Sequence, residues 1–234
     1  MNNFNKYFDH TLLKANATEA DIATLCREAC ENDFASVCVN GCFVKFASEK
    51  IKILNRSFGS TVRVCAVTGF PLGASSTAVK VFEADRAITD GASEIDVVMN
   101  IGDAISSNWD SIENELKTIA EICHDGGAIL KVILETCLLT DEEIREACAR
   151  AAIAGADFVK TSTGFATPAE GIPSGATANH VSIMKESSGS KVRVKASGGI
   201  RTLESALKLI DAGADRLGCS ASVSIMNEYR AKGL

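Results

Sequence analysis

The sequence has no excess of positive charge. Its 234 residues include 24 Lys and Arg against 30 Asp and Glu, which gives a net charge of −6, and the basic residues are interspersed among the acidic ones. A surface that binds nucleic acid or an anionic membrane needs basic residues gathered into a patch or stripe. We therefore expect neither nucleic acid nor a membrane as a partner, although a small local anion site is compatible with this composition.

Long apolar runs are missing as well. No uninterrupted apolar stretch is long enough to cross a bilayer, and the N-terminal segment contains no apolar signal core. The nine cysteines, an odd number, fit reduced thiols better than a disulfide framework. These absences predict a cytoplasmic protein.

Metal-binding motifs are also absent. The chain has three histidines, no C-x-x-C pair and no H-E-x-x-H helix, which are spacings typical of protein metal sites. Cys26 with Cys30, and Cys38 with Cys42, have helical spacing, but thiols packed in a core explain them better than a metal does. We predict no metal site.

The chain does contain a regular alternation of strand and helix patterns. Two helical stretches open with T-E-A-D-I at Thr18 and T-D-E-E-I at Thr140, where the threonine can cap the helix and the acids favour its N-terminus. Short apolar runs rich in β-branched residues lie between the helices and predict strands. They cover 8–11, 36–40, 62–67, 94–99, 128–135, 157–161, 192–197 and 215–219.

A weak internal repeat marks where helices end and strands begin. It reads D-G-A-S-E-I-D at 90, A-G-A-D-F-V-K at 154 and A-G-A-D-R-L-G at 212, and its glycine suits the left-handed residue that ends a helix. Eight βα units in this length predict an α/β fold, a (β/α)8 TIM barrel with residues 1–234 as a single catalytic domain. An open doubly wound sheet is the alternative, but its G-x-G-x-x-G fingerprint is missing.

Lysines lie at the ends of two consecutive predicted strands. Lys160 in D-F-V-K-T-S-T-G and Lys195 in V-R-V-K-A-S-G-G each precede a loop of small residues. The C-terminal ends of barrel strands carry the functional groups of this fold, and adjacent strands lie roughly 4.8 Å apart. If both side chains face inward, their ammonium groups approach each other closely.

Two ammonium groups in a partly dry cavity repel each other, so at least one pKa of the pair is expected to fall. A neutral amine near neutral pH can attack a carbonyl, and the resulting iminium withdraws electrons from the adjacent carbon. The pair therefore favours C–C bond formation or cleavage, and the residues alone do not choose between Lys160 and Lys195. The alternative is that each lysine pairs with a carboxylate or extends to the barrel rim.

An acidic residue interrupts the fourth predicted strand. In E-I-D-V-V-M-N, Asp96 and Asn100 share one strand face, so both are expected to point into the barrel mouth. Asp96 can transfer protons in the carbinolamine and hydroxyl steps, directly or through a water. The alternative is an ion pair with Lys131 or Lys195. Lys131 itself is expected to pair with Glu135 or with an acid across the barrel.

Small-residue loops follow the last three predicted strands. They are S-T-G-F at 162–165, S-G-G-I-R at 197–201 and G-C-S-A-S at 218–222. In this fold a phosphate often lies on the loops after strands seven and eight, at a short helix N-terminus whose N–H groups point outward. We predict a phosphorylated substrate, the alternative being that these glycines only make tight turns.

Four stretches together resemble the deoxyribose-phosphate aldolase family of class I aldolases. They are V-T-G-F-P-L-G at 67–73, E-I-D-V-V-M-N at 94–100, F-V-K-T-S-T-G at 158–164 and V-K-A-S-G-G-I-R at 194–201. The similarity runs in family order from D-H-T-L-L-K at Asp9 to the loop G-C-S-A-S. The resemblance implies a barrel lyase that reversibly cleaves 2-deoxy-D-ribose 5-phosphate to D-glyceraldehyde 3-phosphate and acetaldehyde, with no metal and no other cofactor.

The resemblance also implies roles for individual residues. It makes Lys160 the Schiff-base lysine, Lys195 the second lysine that keeps Lys160 available as a neutral amine, and Asp96 the acid in proton transfer. It further implies a set of phosphate-binding loop residues. These are Gly164, Gly198, Gly199, Arg201, Gly218 and Ser220.

Two positions depart from the family pattern. Some members have a lysine after S-T-G that assists phosphate binding, and here that position is Phe165. Phosphate binding is therefore expected to depend more on backbone amides and Arg201. Some members end in a tyrosine that assists proton transfer, whereas this chain ends A-K-G-L with Tyr229 further back, so that assistance is absent or comes from Tyr229 or water.

Two alternative functions remain open, and the resemblance also bears on the oligomeric state. The nearest alternative is another Schiff-base lyase, or a transaldolase-like enzyme, that acts on a different sugar phosphate. Outside the enzymes, the barrel could bind a sugar phosphate as a sensor without turnover, which would require a spoiled lysine pair, although both lysines and Asp96 are present. Family members often form dimers, so the resemblance implies a homodimer.

Overall fold

The computed structural model describes residues 3–233. Within them, eight parallel strands close into a barrel, each paired with its neighbours in sequence, and β8 is paired with β1. The strands are β1 (Phe8–Leu12), β2 (Ser36–Val39), β3 (Arg63–Thr68), β4 (Glu94–Val98), β5 (Ile129–Ile133), β6 (Phe158–Lys160), β7 (Arg193–Ser197) and β8 (Arg216–Cys219). The predicted (β/α)8 barrel is confirmed, and each predicted strand overlaps one of these.

Helices cover the outside of the barrel. In the described part of the chain they are α1 (Glu19–Glu31), α2 (Val44–Phe58), α3 (Thr77–Thr89), α4 (Ile101–Ile105), α5 (Trp109–Asp125), α6 (Asp141–Ile153), α7 (Ala178–Ser187), α8 (Leu203–Asp211) and α9 (Ser222–Ala231). The two predicted helix starts are confirmed, since Thr18 and Thr140 each cap a helix in a box completed by Asp21 or Glu143. None of the helices described is both long and apolar enough to span a bilayer.

The repeated glycines make the turns from helix to strand. Gly91, Gly155 and Gly213 have φ values of 105°, 94° and 112°. This region of backbone conformation is easily reached by glycine alone. The glycines lie just before β4, β6 and β8, as the sequence repeat predicted.

Each strand alternates between two environments. Ile95 and Val97 of β4 belong to the main hydrophobic core, which the barrel and its helices share. Glu94 and Asp96 of the same strand are fully buried and contact side chains of other strands across the interior. This two-residue period places the apolar side chains outward and leaves the inward positions for other residue types.

The barrel interior combines apolar side chains with many charges. One apolar part is a small cluster of Leu13, Cys38, Cys65 and Val67, with Phe70 packed against it. Layers of branched apolar side chains usually fill this fold. Here many inward positions are instead charged and buried: Asp9, Glu94, Asp96, Lys131, Lys160, Lys195 and Arg216.

Candidate active site

Lys160 and Lys195 lie side by side in the barrel. The pairing of β6 with β7 places Lys160 directly opposite Lys195. The Nζ atoms of both lysines lie 2.8 Å from the same oxygen, Oδ2 of Asp96. Asp96 therefore contacts both of the lysines that sequence reasoning selected with it.

Asp96 is fully buried and has other hydrogen-bond partners in addition to Lys160 and Lys195. Its Oδ1 accepts hydrogen bonds from Lys131 Nζ at 2.8 Å and from Cys65 Sγ at 3.0 Å. Burial alone would raise the pKa of Asp96, but Lys131, Lys160 and Lys195 outweigh burial and hold it well below its usual range. Asp96 is therefore ionised in the folded protein, and its carboxylate is able to accept a proton.

Lys195 is held as an ammonium by two carboxylates. Its Nζ contacts Asp9 as well as Asp96. Burial alone would lower the pKa of Lys195, but these two carboxylates outweigh burial and raise it above its usual range. The fall in pKa expected for one member of the lysine pair is therefore not found at Lys195, which stays positively charged beside Lys160.

A larger cluster of buried charges surrounds these residues. Arg216 joins Asp9, at 2.8 Å from Nε, to Glu94, at 2.8 and 3.0 Å from Nη2. Among the described residues the cluster has four cations, Lys131, Lys160, Lys195 and Arg216, and three carboxylates, Asp9, Glu94 and Asp96. Its formal charge is +1 when every lysine is protonated.

Lys131 pairs with acids other than Glu135, which was the first partner predicted for it. It contacts Glu94 at 2.6 Å and Asp96 at 2.8 Å on the adjacent strand, and Asp9 at 3.8 Å on β1. The expectation of an acid across the barrel is met by Asp9, while the pairing with Glu135 was wrong. The predicted ion pair of Asp96 with Lys131 or Lys195 exists with both.

A cavity of about 390 Å³ opens at the C-terminal ends of the strands. Lys160 lines this cavity and is 3% exposed, whereas Lys131 and Lys195 are 0% exposed and lie outside its lining. Of the interior lysines described, Lys160 is thus the one that a molecule in the cavity can reach. The sequence could not make this distinction, because Lys160 and Lys195 occupy equivalent positions in it.

The six loop residues expected to bind phosphate all line the same cavity. They are Gly164, Gly198, Gly199, Arg201, Gly218 and Ser220. Gly164, Gly198 and Gly199 have φ values of 84°, 86° and 75°, so their turns need glycine. Gly218 differs, because it lies within β8 and a Cβ atom there would come within 3.0 Å of Lys195 Cε. Its missing side chain makes room for Lys195.

The last helix begins at this cavity. The N-cap of α9, Ala221, follows Ser220 and makes no side-chain capping hydrogen bond, whereas Thr202 and Ser205 cap α8. The first N–H groups of α9 and the positive end of its dipole are therefore available to an anion beside Ser220.

Sequence reasoning missed a second cation at the rim. The charged residues in the cavity lining are Lys14, Lys160 and Arg201, and no Asp or Glu of residues 3–233 lines it. In a protein of net charge −6, a lining with only positive charge attracts anions. The signal that could have found Lys14 is its place just after the first strand, where this fold puts functional groups.

Two other side chains lie away from their expected positions. Asn100 caps α4, with its Oδ1 accepting the N–H of Asp103 at 3.3 Å, so it does not point into the mouth. Tyr229 is buried and stacks on Phe4 with ring centroids 4.2 Å apart. Because Phe4 precedes β1, Tyr229 lies near the opposite end of the barrel from Lys160 and is not placed to assist proton transfer.

One group of side chains has ligand atoms close enough for a metal. The Sγ atoms of Cys38 and Cys65 and a carboxylate oxygen of Asp96 lie within 4.8 Å of one another. Lys131 Nζ already lies 3.3 Å from Cys65 Sγ and 2.8 Å from Asp96 Oδ1, and burial raises the pKa of Cys65 well above its usual range. Metal binding needs a thiolate and no competing cation, so this group does not fit a metal.

Comparison with known proteins identifies the family. The family model of the DeoC/LacD aldolases matches residues 4–226. Deoxyribose-phosphate aldolase 1 of Vibrio vulnificus is 53% identical over 222 residues, which cover 95% of each chain. Deoxyribose-phosphate aldolase of Streptococcus sanguinis is 50% identical over 229 residues, which cover 98% of each chain.

Solved structures agree with this similarity. The aldolase QR15 superposes with a TM-score of 0.87 at 42% identity, covering 100% of this chain and 98% of that one. The deoxyribose phosphate aldolase of Aeropyrum pernix, described as a unique tetramer, has a TM-score of 0.85 at 32% identity and covers 97% and 91%. Since the family match spans nearly the whole chain, the chain belongs to the DeoC/LacD family of aldolases.

Proposed function

We propose that the protein is a deoxyribose-phosphate aldolase, with residues 1–234 acting as one catalytic domain. It reversibly cleaves 2-deoxy-D-ribose 5-phosphate to D-glyceraldehyde 3-phosphate and acetaldehyde, a step in deoxyribose phosphate breakdown, and needs no metal. The observation that carries the proposal is the position of Lys160. It borders a cavity whose charged lining residues, within the described part of the chain, are all positive, and it contacts the buried carboxylate of Asp96. The names of the relatives at 53% and 50% identity support the same activity.

The reaction begins with the amine of Lys160. Its proton passes to Asp96 Oδ2, 2.8 Å from Lys160 Nζ, and the formal charge of the buried cluster does not change because donor and acceptor both belong to it. The amine then attacks C1 of the substrate aldehyde. Asp96 returns the proton to the carbinolamine oxygen, which leaves as water and gives an iminium on Lys160.

The iminium then draws electrons from the C2–C3 bond. Asp96, again a carboxylate, accepts the proton of the C3 hydroxyl through the released water, because it is itself fully buried below the cavity. The C2–C3 bond breaks, D-glyceraldehyde 3-phosphate leaves, and an enamine remains on Lys160. Protonation of C2 and hydrolysis of the imine release acetaldehyde and free Lys160.

The phosphate lies at the opposite side of the cavity from the lysine. The glycine turns at Gly164 and Gly198, together with the uncapped start of α9, offer backbone N–H groups to its oxygens. Lys14 and Arg201 supply positive charge at the rim. These two cations stand in for the lysine that Phe165 replaces.

Cleavage rates with purified protein test the proposal. We expect acetaldehyde to form from 2-deoxyribose 5-phosphate faster than any aldol product forms from fructose 1-phosphate or fructose 6-phosphate. Preference for a ketose phosphate would identify a different Schiff-base lyase. Binding of 2-deoxyribose 5-phosphate with no cleavage would identify a sensor, and either result would reject the proposed function.

We also propose a cytoplasmic homodimer. All nine cysteines are free thiols, eight of them buried, which suits a reducing compartment. Leu72, Val79 and Phe82 are 74%, 46% and 70% exposed, and such apolar side chains on a surface commonly mark subunit contacts. Light scattering that gives the mass of a monomer would reject the dimer.

A further inference from the structure

One buried carboxylate near the mouth has no part in the mechanism above. Glu135 follows β5 and is 1% exposed. The other buried carboxylates of the described chain each contact a lysine or arginine: Asp9, Glu94, Asp96 and Glu115. Glu135 contacts a threonine and a cysteine instead. Lys160 attracts Glu135 only at a distance, and burial of a carboxylate without a direct ion pair is costly, so the presence of Glu135 calls for a specific reason.

The backbone of Glu135 is also strained. Its φ and ψ values are 57° and 60°, in the left-handed region that residues other than glycine, asparagine and aspartate rarely adopt. The flanking residues are held by β6 and the chain after it, since Leu134 N donates to Lys160 O and Thr136 N donates to Thr161 O, both at 2.9 Å. Strain of this kind persists where the surrounding contacts impose it, often at functional sites.

The carboxylate of Glu135 binds a single residue of the next loop through both oxygens. Thr163 N donates to Oε1 at 3.3 Å and to Oε2 at 3.1 Å, and the Thr163 hydroxyl donates to Oε2. Thr163 Oγ1 in turn accepts the N–H of Phe165 at 3.0 Å. Glu135 therefore fixes both ends of the turn Thr163–Gly164–Phe165.

The amide between these two fixed ends is left for a ligand. The N–H of Thr163 is taken by Glu135 and that of Phe165 by Thr163, whereas no residue of the described chain accepts the N–H of Gly164. All three residues of the turn line the cavity that contains Lys160. The Phe165 ring meets Phe70 edge-on, with centroids 5.3 Å apart, and this contact anchors the outer side of the turn.

We propose that Glu135 is a positioning residue for phosphate recognition, which holds the Gly164 amide in the orientation that the substrate phosphate needs. This inference rests on the proposed function, because it assumes that the phosphate lies against the 163–165 turn. Glu135 acts through Thr163 and touches neither the substrate nor Lys160. Its loss should therefore weaken interactions with the phosphate more than the chemistry at the aldehyde.

The test compares a substrate that has the phosphate with one that lacks it. We expect Thr163→Val and Glu135→Gln to raise KM for 2-deoxyribose 5-phosphate about tenfold, the effect of one lost hydrogen bond. Cleavage of unphosphorylated 2-deoxyribose should change less than about twofold, because it does not use the turn. Thr163→Ser keeps the hydroxyl and should restore the wild-type ratio of the two efficiencies.

A matched control separates positioning from stability. Thr77 donates its hydroxyl to the buried Glu115 at 3.1 Å, and Thr77 is not part of the cavity lining. Thr77→Val removes the same kind of bond in the helical layer and should leave the ratio of the two efficiencies unchanged. Equal losses on both substrates in Thr163→Val and Glu135→Gln would overturn the inference, since they indicate a general structural role.

Binding of glycerol 3-phosphate keeps the inference testable if the reaction proves different. This probe carries a phosphate but no aldehyde, so its dissociation constant does not depend on aldol chemistry. We expect calorimetry to show weaker binding in Thr163→Val and Glu135→Gln, by about tenfold. If the variants bind glycerol 3-phosphate more weakly than wild type but wild type does not cleave 2-deoxyribose 5-phosphate, only the proposed function is rejected. Equal affinity in wild type and both variants, or no binding by wild type, would reject the role of Glu135.

Discussion

The interior of the barrel and its mouth differ in how their charged side chains are paired. In the interior, four cations and three carboxylates are buried, and each is held by at least one ion pair. At the mouth, the exposed Lys14 and Arg201 share the cavity lining with no carboxylate of residues 3–233, and glycine turns and a helix N-terminus complete it. The interior is balanced to within one charge before any substrate arrives, whereas the mouth stays unbalanced until an anion binds.

This difference separates two kinds of substitution. A change in the interior should alter the chemical step, and one that leaves buried charges without partners should also lower the stability of the fold. A change at the mouth removes an exposed group that the free protein does not need, so it should alter substrate binding with little effect on stability.

The largest effect is expected from Lys160→Leu. The substitution removes the nucleophile, so cleavage of 2-deoxyribose 5-phosphate should fall by about 10⁴-fold or more. Asp96 keeps Lys131 and Lys195 as partners, and we expect the free energy of unfolding to change by less than about 2 kcal/mol. Activity assays and denaturant unfolding measure the two quantities. A variant that fails to fold would show that Lys160 is a structural lysine.

Asp96→Asn should combine a loss of activity with a loss of stability. Three lysines share this carboxylate, and an amide leaves their charges uncompensated in a buried site. We expect a loss of about 3–5 kcal/mol in unfolding free energy and of about 10²–10⁴-fold in cleavage rate. Urea titration of Asp96→Asn and Lys160→Leu compares their free energies of unfolding. Equal stability of Asp96→Asn and Lys160→Leu would contradict the view that Asp96 organises the interior.

At the mouth, Arg201→Gln and Lys14→Gln should each raise KM for 2-deoxyribose 5-phosphate by about tenfold, because a charged contact to phosphate is lost. We expect kcat and unfolding free energy to stay close to those of wild type, and the rise of KM with salt to become weaker. Lys208→Gln is the control, since Lys208 is exposed on α8 and outside the lining of this cavity. A fall in kcat without a change in KM would place these residues in the chemistry instead.

The smallest effect concerns pH. The pKa values of Asp9 and Asp96 are lowered in the folded protein, in both cases because nearby cations outweigh burial. Both therefore contribute stability above the unfolded pKa of about 3.9, and this contribution is lost as the pH falls further. Unfolding of wild type below about pH 4 should take up about one more proton than unfolding of Asp96→Asn. Identical pH dependence of the two proteins would show that Asp96 is not held ionised by folding.

The parts of this structure that depend on local pattern could be predicted from sequence. Alternating strands and helices, the two capping threonines and the glycine turns all follow from short-range preferences. The position of Lys160 beside Lys195 follows from the rule that consecutive strands of a barrel are adjacent. The same rule and the two-residue period placed Asp96 near them.

The rest depends on closure of the barrel. Asp9 and Arg216 are 207 positions apart and meet because β1 pairs with β8, and no local pattern in either strand indicates the partner. The role of Glu135 could not be predicted from sequence. Its apolar neighbours predict a strand that runs through position 135, whereas β5 ends at Ile133 and Glu135 has a left-handed backbone. The choice of Lys160 over Lys195 required the cavity, since accessibility arises from the loops and not from the strand sequence.

Trapping of the Schiff base is the measurement that tests the role of Lys160 most directly. Wild-type protein is mixed with acetaldehyde, reduced with borohydride, digested and examined by mass spectrometry, with Lys160→Leu treated in parallel. We predict a stable N-ethyl group on Lys160 in wild type, and none on Lys195 or Lys131 in either protein. An adduct on Lys195, or no adduct on Lys160, would contradict the assignment of Lys160 as the nucleophile.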